Sequence, residues 1–363
     1  MENKRMQSGL KARIRSLREL LAKKFFDKKS RSGKVLDASR AKSVLFFRND
    51  DKMGDTVVST LFFREIKKKY PSIKVIVLCG RSNREIIRYN SNVDQIYETG
   101  KSFFRDILVF RELQRQNISL AVDFYPFRPR LKHMLMLRII APEFLIGFYK
   151  SSYNIYDFSI DVSFFRLHIS KWYEHLLKIL KIENPDLKYD ITFTYKEESE
   201  ALKLIKKCNA KYRIVLNPFA ASKHRSFSYL KLKELIDIIE NEIDCCVFVL
   251  CQQKNKKKII SLESDRTFVS SFESILKSAA LIKCADVVIT PDTSIVHIAT
   301  AFNKKTVALY LNYSNTYERV DIIWAPNNPN AVQIFVDTKN NSLENDIKNI
   351  SNDNVLEALR KLL

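Results

Sequence analysis

Three short stretches of the sequence place acidic, basic and hydroxyl side chains directly after hydrophobic strands. In the first, an apolar run at residues 44–47 precedes RNDDKMGD, which holds Arg48, Lys52 and Asp55. A carboxylate kept ionised by nearby cations can act as a general base toward a hydroxyl group. The alternative is that Gly54 permits a tight turn and Asp55 only caps the helix that follows.

The second stretch, LNPFAASKHRSFSY, also follows a predicted strand. Its small residues, which end with Ser222, let a ligand come close to the backbone. Lys223 and Arg225 then supply cations suited to phosphate oxygens. The alternative is a solvated basic loop.

The third stretch, ADVVITPDTSIVHIATAF, is a strand followed by a helix. Asp292, Thr293 and Ser294 stand at the helix start, where such residues are common caps and unpaired backbone N–H groups can bind an anion. His297, one turn later, could face a phosphate or pack in the core. The competing interpretation of the stretch is a plain capped helix.

Several common site motifs are missing from the sequence. It has no GxGxxG, no GxxxxGK[ST], no DxD and no HExxH. These absences disfavour a dinucleotide dehydrogenase, a P-loop NTPase, a metal-held diphosphate and a zinc site. We therefore expect an anion held by helix N-termini and side-chain cations, without a metal.

Short β-rich runs alternate with longer helical patterns from residue 43 onward, which indicates parallel sheets covered by helices. The rhythm loosens around residues 153–195 and then resumes. The predicted fold is α/β, with two Rossmann-like doubly wound domains facing across a cleft. The predicted ranges are a basic extension (1–42), a first domain (43–195), a second domain (196–340) and a C-terminal helix (341–363).

The six cysteines lie mostly in or beside apolar runs and form no CxxC pair. We therefore expect buried reduced thiols rather than disulfides or metal ligands. No secretory signal and no long uncharged apolar run is visible, which predicts a cytosolic protein.

The formal net charge of +21 is concentrated at the N-terminus, where residues 1–42 hold 14 Lys and Arg against 4 acids. An apolar stripe at helical spacing runs through Leu10, Ile14, Leu17, Leu21 and Phe25. Such a basic amphipathic helix can lie on an anionic membrane. Alternatively, it docks on its own protein through the stripe. No recognisable motif supports nucleic-acid binding.

Taken in order, the three stretches resemble the lipopolysaccharide heptosyltransferases, glycosyltransferase family nine, over about Ser43 to Pro326. VDFYPF and FLIGF add to the resemblance. The resemblance implies a GT-B fold and inverting, metal-independent transfer of a heptose from ADP-heptose to a lipopolysaccharide core or related glycan. It places the proposed general base at Asp55, with Arg48 or Lys52 keeping it ionised.

The resemblance also implies where the substrates bind, with the first domain (43–195) as the acceptor-binding domain and the second (196–340) as the nucleotide-sugar-binding domain. The diphosphate would meet Thr293, Ser294 and a cation, either Arg225 by register from Phe227 or Lys223, while Asp292 would contact the sugar or orient the loop. The chain departs from the family pattern with Phe219 and Phe227. Four residues are candidates for acceptor binding: Asp123, Arg128, Arg130 and Lys132.

A lipid-anchored acceptor would give the basic extension a purpose and would place the enzyme on the inner face of the bacterial inner membrane. Two alternatives stay open for the function. One is a GT-B enzyme, transferase or epimerase, acting on another nucleotide sugar. The other is a non-catalytic scaffold that binds sugar nucleotides.

Overall fold

The computed structural model describes residues 19–28, 37–100, 102–125, 129–161, 166–313, 319–337 and 345–363. These residues form two six-stranded sheets. The first sheet consists of β1 (Ser43–Arg48), β2 (Lys74–Cys79), β3 (Gln95–Glu98), β4 (Leu120–Asp123), β5 (Phe144–Phe148) and β6 (Phe158–Ile160). The second consists of β7 (Tyr212–Leu216), β8 (Cys245–Cys251), β9 (Thr267–Ser271), β10 (Val287–Pro291), β11 (Lys305–Tyr310) and β12 (Ala331–Phe335).

Both sheets have the same strand order when each is counted from its own first strand. The first runs β3-β2-β1-β4-β5-β6 and the second β12-β11-β10-β7-β8-β9, with parallel pairing throughout. This is the doubly wound order of nucleotide-binding folds. The central strands β1 and β10 are buried along their whole length, because helices cover both faces of such sheets. The prediction of two Rossmann-like α/β units is confirmed.

The helices connect the strands and cover the faces of the sheets. The first domain contains α1 (Met53–Lys69), α2 (Arg84–Ile87), α3 (Phe103–Arg115), α4 (Leu131–Ile140) and α5 (Ile169–Ile179). The remaining helices are α6 (Tyr195–Ile205), α7 (Tyr229–Glu242), α8 (Gln253–Ile259), α9 (Ile275–Cys284), α10 (Ser294–Ala301), α11 (Val320–Ile323) and α12 (Asn352–Leu362). One face of the first sheet packs with α1 in a core that continues to α10 of the second domain, so the two domains share apolar contacts.

Some elements differ from the sequence-based expectation. The strands β6 and β9 were not predicted, because β6 is short and partly exposed and β9 mixes hydroxyl with apolar residues. The loosened region contains α5, and the last helix begins at Asn352, eleven residues after the start of the predicted range. The predicted domain boundaries stay a prediction, with one sheet lying inside each of the two large ranges.

The expectation that all six cysteines are reduced is wrong for one pair. Cys208 and Cys246 form a disulfide, with their Cα atoms 5.8 Å apart. Cys208 follows α6 and Cys246 lies in β8, so the fold joins residues that are 38 positions apart. Without a CxxC spacing the sequence offers no sign of this proximity. The other four cysteines are free, and Cys79, Cys245 and Cys251 are buried.

Part of the basic N-terminal extension is described, and residues 19–26 are helical. Ala22 is fully buried, whereas Leu21 and Phe25 are exposed. The described end of the predicted stripe therefore faces away from the protein, contrary to the docking alternative. Leu10, Ile14 and Leu17 lie outside the described residues. None of the helices in the described ranges is both long and apolar enough to span a bilayer.

The connection between the domains is anchored on α1. The Arg64 guanidinium donates from Nη1 to Asp190 Oδ2 (2.9 Å) and to the Lys188 carbonyl (2.8 Å), and from Nη2 to the Asp186 carbonyl (2.5 Å). The Asp190 N–H donates to Thr60 Oγ1 (2.8 Å). A single arginine thereby fixes three points of an otherwise irregular segment.

Candidate active site

The three stretches singled out in the sequence lie at the two places where the strand order reverses. In the first sheet the reversal falls between β1 and β4, and in the second between β7 and β10. Ligands of doubly wound sheets bind outside the carboxyl ends of the strands at such points. Asp55 follows β1, the 218–226 loop follows β7, and Asp292 follows β10.

Asp55 lies in the first turn of α1, behind a sharp turn. Asp51 adopts the left-handed conformation (φ 59°), Lys52 occupies the N-cap position, and the helix begins at Met53. Asp55 therefore is not the cap. Its Oδ2 lies 3.5 Å from Arg48 Nη1 and 3.7 Å from Lys52 Nζ.

Burial and two nearby cations together determine the pKa of Asp55. Burial raises the pKa of Asp55, the cations Arg48 and Lys52 partly offset this, and the result is a pKa of about 6. Arg48 is itself buried, lies over the Phe124 ring (4.7 Å) and also approaches Asp50 (3.5 Å). A carboxylate with a pKa near 6 is ionised at neutral pH and is more basic than an ordinary aspartate, which suits a general base.

Gly54 has a role that differs from the predicted one. It lies within α1, and Asp51 supplies the left-handed turn instead. A Cβ at Gly54 would lie 3.0 Å from His297 Cδ2 and 3.4 Å from the Ser294 Cα. The missing side chain lets the start of α1 contact the start of α10, and this contact brings the Asp55 turn to the anion-site candidate of the second domain.

The start of α10 is held by hydroxyl and amide groups. Thr293 caps the helix by accepting from the Ile295 N–H (3.2 Å), and Asn217 Nδ2 donates to Thr290 Oγ1 (3.0 Å) and Thr293 Oγ1 (3.2 Å). Ser294 is the first helical residue. The geometry confirms a helix N-terminus at this position, where backbone N–H groups favour an anion.

The two candidate phosphate-binding cations are placed differently. Arg225 Nη1 donates to Asp292 Oδ2 (2.8 Å) and to the Asp292 carbonyl (3.1 Å), so this guanidinium is fixed beside the start of α10. Burial raises the pKa of Asp292, and Arg225 partly offsets this. Lys223 is exposed in the same short turn, and Ser222 precedes it, half-buried.

His297 packs in the interface between the domains. Its ring lies near Tyr189 (6.1 Å between centroids) and Trp324 (5.9 Å). Nδ1 is buried without a hydrogen-bond partner among the described residues. Burial lowers the pKa of His297 to about 3, so the ring is neutral. The packing alternative therefore describes its surroundings better than a phosphate contact.

The acceptor candidates separate into buried and exposed groups. Asp123 is fully buried at the end of β4. Arg130 is exposed at the N-cap position of α4, and Lys132 is exposed but pairs with the buried Asp106 (2.6 Å). Arg128 lies outside the described residues.

Asp123 is the centre of a buried polar network that the sequence did not reveal. It accepts from the Tyr156 hydroxyl (2.5 Å) and the Tyr125 N–H (3.0 Å), and His133 Nε2 lies 2.9 Å from it. Burial alone would raise the pKa of Asp123, but His133, Lys150 and Tyr156 hold it below the ordinary range. The only sequence signal is a lysine, Lys150, two residues after the end of the apolar strand β5.

Within the ranges that the structure describes, no three His, Cys, Asp or Glu side chains converge as a metal site. The expectation that transfer needs no metal stays a prediction, because the arrangement of these side chains does not test the chemistry of the bound donor.

Comparison with known proteins agrees with the fold. Residues 111–352 match the model of glycosyltransferase family 9 (heptosyltransferase). A protein of Escherichia coli (strain K12) with the provisional name lipopolysaccharide heptosyltransferase 4 is 24% identical over 340 residues, which cover 91% of this chain and 90% of that protein.

Solved structures show the same architecture. The glycosyltransferase family 9 protein of Veillonella parvula has a TM-score of 0.74 at 14% identity, over 90% of this chain and 98% of that chain. E. coli ADP-heptose lipopolysaccharide heptosyltransferase II has a TM-score of 0.68 at 14% identity, over 88% of this chain and 98% of that chain. E. coli heptosyltransferase WaaC with ADP has a TM-score of 0.66 at 14% identity, over 88% of this chain and 100% of that chain. With two thirds of its length matched by the family model, this chain belongs to glycosyltransferase family 9, the heptosyltransferases, and is a glycosyltransferase.

Proposed function

We propose that this glycosyltransferase moves a heptose from ADP-heptose, with inversion and without metal, to a lipopolysaccharide core or related envelope glycan. Asp55 acts as the general base. The acceptor hydroxyl oxygen attacks the anomeric carbon of the donor while its proton passes to Asp55. The bond from the anomeric carbon to the β-phosphate oxygen breaks, and ADP leaves with the electron pair.

One observation carries this proposal. The Asp55 turn, whose carboxylate has a pKa of about 6, contacts the start of α10 through Gly54. In a direct displacement, the nucleophile and the leaving group lie on opposite sides of the sugar. The reaction therefore requires a base on one side and an anion-binding group for the diphosphate on the other, and here these two groups belong to different domains. Two cations, Arg48 and Lys52, lie 3.5 and 3.7 Å from the Asp55 carboxylate and favour its ionised form.

The proposed donor site follows from the same contact. The departing diphosphate gains negative charge, which the N–H groups at Thr293 and Ser294 and the Arg225 guanidinium would stabilise. Arg225 is favoured over Lys223 because Asp292 fixes it beside α10. Ser222 and Asp292 would contribute further contacts to the donor. The adenine and the heptose are proposed by similarity to the E. coli ADP-heptose heptosyltransferase.

The proposed acceptor site is the carboxyl end of β4 and the start of α4. Arg128, Arg130 and Lys132 would meet phosphate or carboxylate groups of the glycan. A lipid-anchored acceptor implies that the enzyme works at the cytoplasmic face of the inner membrane, as a peripheral protein.

Titration calorimetry of the purified protein with ADP, GDP and UDP in EDTA tests the donor assignment. We expect selective binding of ADP without metal. Preference for GDP or UDP would retain the fold and overturn the donor, and binding of none of the three would contradict the proposed donor site.

A further inference from the structure

The outer side of the first domain exposes large apolar side chains on two helices. On α3, Phe104 is 81% and Leu108 is 65% exposed. On the helix at residues 19–26, Leu20 is 64% and Phe25 is 59% exposed. Side chains of this kind are usually buried, and when they are exposed together they mark an interaction surface.

These two helices belong to one layer over the first sheet. Ala22 packs in the same hydrophobic cluster as Phe110 of α3 and Met134 of α4. Asp27 accepts from the Ile155 N–H (2.9 Å), which fixes the end of the 19–26 helix on the domain. Both helices therefore cover the same face of the first sheet, and we name their exposed side the outer helical face. It consists of the exposed residues of the 19–26 helix, α3 and the first turn of α4.

Basic residues surround the apolar side chains of the outer helical face. The exposed cations are Lys23, Lys24, Lys28, Arg105, Arg111 and Arg115. Among the acids of α3, Asp106 is buried and paired with Lys132, and Glu112 is exposed. The face therefore carries positive charge around an apolar centre, which complements an anionic lipid surface.

The outer helical face adjoins the proposed acceptor site. α3 and α4 both begin at the carboxyl edge of the first sheet, and the Lys132–Asp106 ion pair joins their first turns. Leu131, the first residue of α4, is also exposed (38%) and directly follows Arg130. A surface applied to this face would lie next to the groups expected to bind the acceptor.

We infer that the outer helical face docks on an anionic lipid bilayer, with Phe25, Phe104 and Leu108 entering the headgroup region and the basic residues contacting lipid phosphates. Charge complementarity favours this occupant, because the cations surround the apolar residues on both helices. The docking surface thus extends from the N-terminal extension to α3. Its purpose rests on the proposed function, since a lipid-anchored acceptor would then enter the cleft from the bilayer.

Vesicle sedimentation of the full chain tests this inference. The vesicles contain phosphatidylcholine with phosphatidylglycerol, or phosphatidylcholine alone. We expect binding to the anionic vesicles, and a loss of about tenfold in the variant Phe104→Ser/Leu108→Ser and again in Phe25→Ser. Leu230→Ser is the matched control, because Leu230 is 69% exposed on α7 of the second domain.

Three results would overturn the inference. Vesicle binding by the variants equal to that of the parent protein would exclude this face as the docking surface. A change of oligomeric state in light scattering, with vesicle binding retained, would assign the face to a second copy of the chain. Lower thermal stability with vesicle binding retained would assign it to residues 1–18 of the same chain.

The readout also separates this inference from the proposed function. Transfer to a delipidated, water-soluble acceptor should be unchanged in Phe104→Ser/Leu108→Ser. If the parent protein fails to transfer to that acceptor, the proposed function fails, and the sedimentation result still decides the docking surface.

Discussion

At the residue scale, the site depends on a balance between burial and charge at Asp55. Burial favours the neutral carboxyl and the two cations favour the ionised form, which gives a pKa of about 6. The sequence predicted Asp55 and its cations because they are adjacent in the chain. It could not predict the Asp123 network, whose members Tyr125, His133, Lys150 and Tyr156 come from separate elements.

The pH dependence of transfer should follow the ionisation of Asp55. The base acts only when deprotonated, so kcat/KM should fall about tenfold per pH unit below pH 6 and level off above it. The profile of the parent protein, measured with saturating acceptor, checks this. The base titrates over roughly pH 5 to 7. A profile that stays flat over that range would contradict the assignment of Asp55 as the base.

Ionised Asp55 should also lower the free energy of unfolding at neutral pH. A folded-state pKa above the ordinary value means that the folded protein binds the proton more tightly, so this stabilising contribution is lost as the pH rises from about 4 through 6. Asp55→Asn should therefore be at least as stable as the parent protein above pH 6. Urea unfolding at pH 7.5 and at about pH 4 measures the difference.

The two cations of the 223–225 turn should differ in their effect on nucleotide binding. Arg225 is fixed by Asp292 beside α10, whereas Lys223 is exposed. Arg225→Ala should weaken ADP binding by about 10- to 100-fold, the worth of one charge-assisted hydrogen bond, and Lys223→Ala by less than about threefold. Calorimetry with ADP compares the two variants. The reverse order would move the phosphate contact to Lys223.

At the element scale, the contact of α1 with α10 matters most for the site. The alternation of strands and helices could be predicted from hydrophobic runs, because buried parallel strands and covering helices have distinct patterns. The contact itself could not, since Gly54 in the sequence suggests a turn and only the folded chain shows His297 beside it. The Cys208–Cys246 disulfide was missed for the same reason.

Gly54→Ala should impair the contact between the two helices. Alanine favours a helix over glycine by about 1 kcal/mol, but the new Cβ would lie 3.0 Å from His297 Cδ2. We expect transfer to fall by about tenfold, the equivalent of about 1.4 kcal/mol, with little loss of helical content by circular dichroism. Combining the change with His297→Ala should recover part of the activity. No recovery would show that the crowding arises elsewhere.

At the scale of the whole molecule, the site exists only when both domains are in place. The base belongs to the first domain, and the anion-binding helix and Arg225 belong to the second. The presence of two successive α/β units could be predicted from the rhythm of the sequence, and the family resemblance from the three stretches. The packing of one domain against the other could not be predicted. It depends on side chains such as Arg64, Glu85 and His297, whose partners are more than 100 residues away in the chain.

Arg64 should therefore contribute to the stability of the pair of domains. Arg64→Ala removes the donors to the Asp186 and Lys188 carbonyls and to Asp190. We expect a loss of about 2 kcal/mol in the free energy of unfolding. Urea unfolding measures it, with Arg64→Lys as the comparison, which retains the charge but not the fork of donors. A loss below about 0.5 kcal/mol would show that the linker is held by other contacts.

Heptose transfer from ADP-heptose to a lipopolysaccharide-core acceptor in EDTA, measured for the parent protein and for Asp55→Asn, tests most directly whether Asp55 is the base of a metal-independent reaction. We expect transfer by the parent protein without metal and a fall in kcat of about 10³-fold in the variant, with ADP affinity nearly unchanged. Equal rates for the two proteins would contradict the assignment of Asp55 as the base. Transfer that requires added metal would contradict the proposed mechanism.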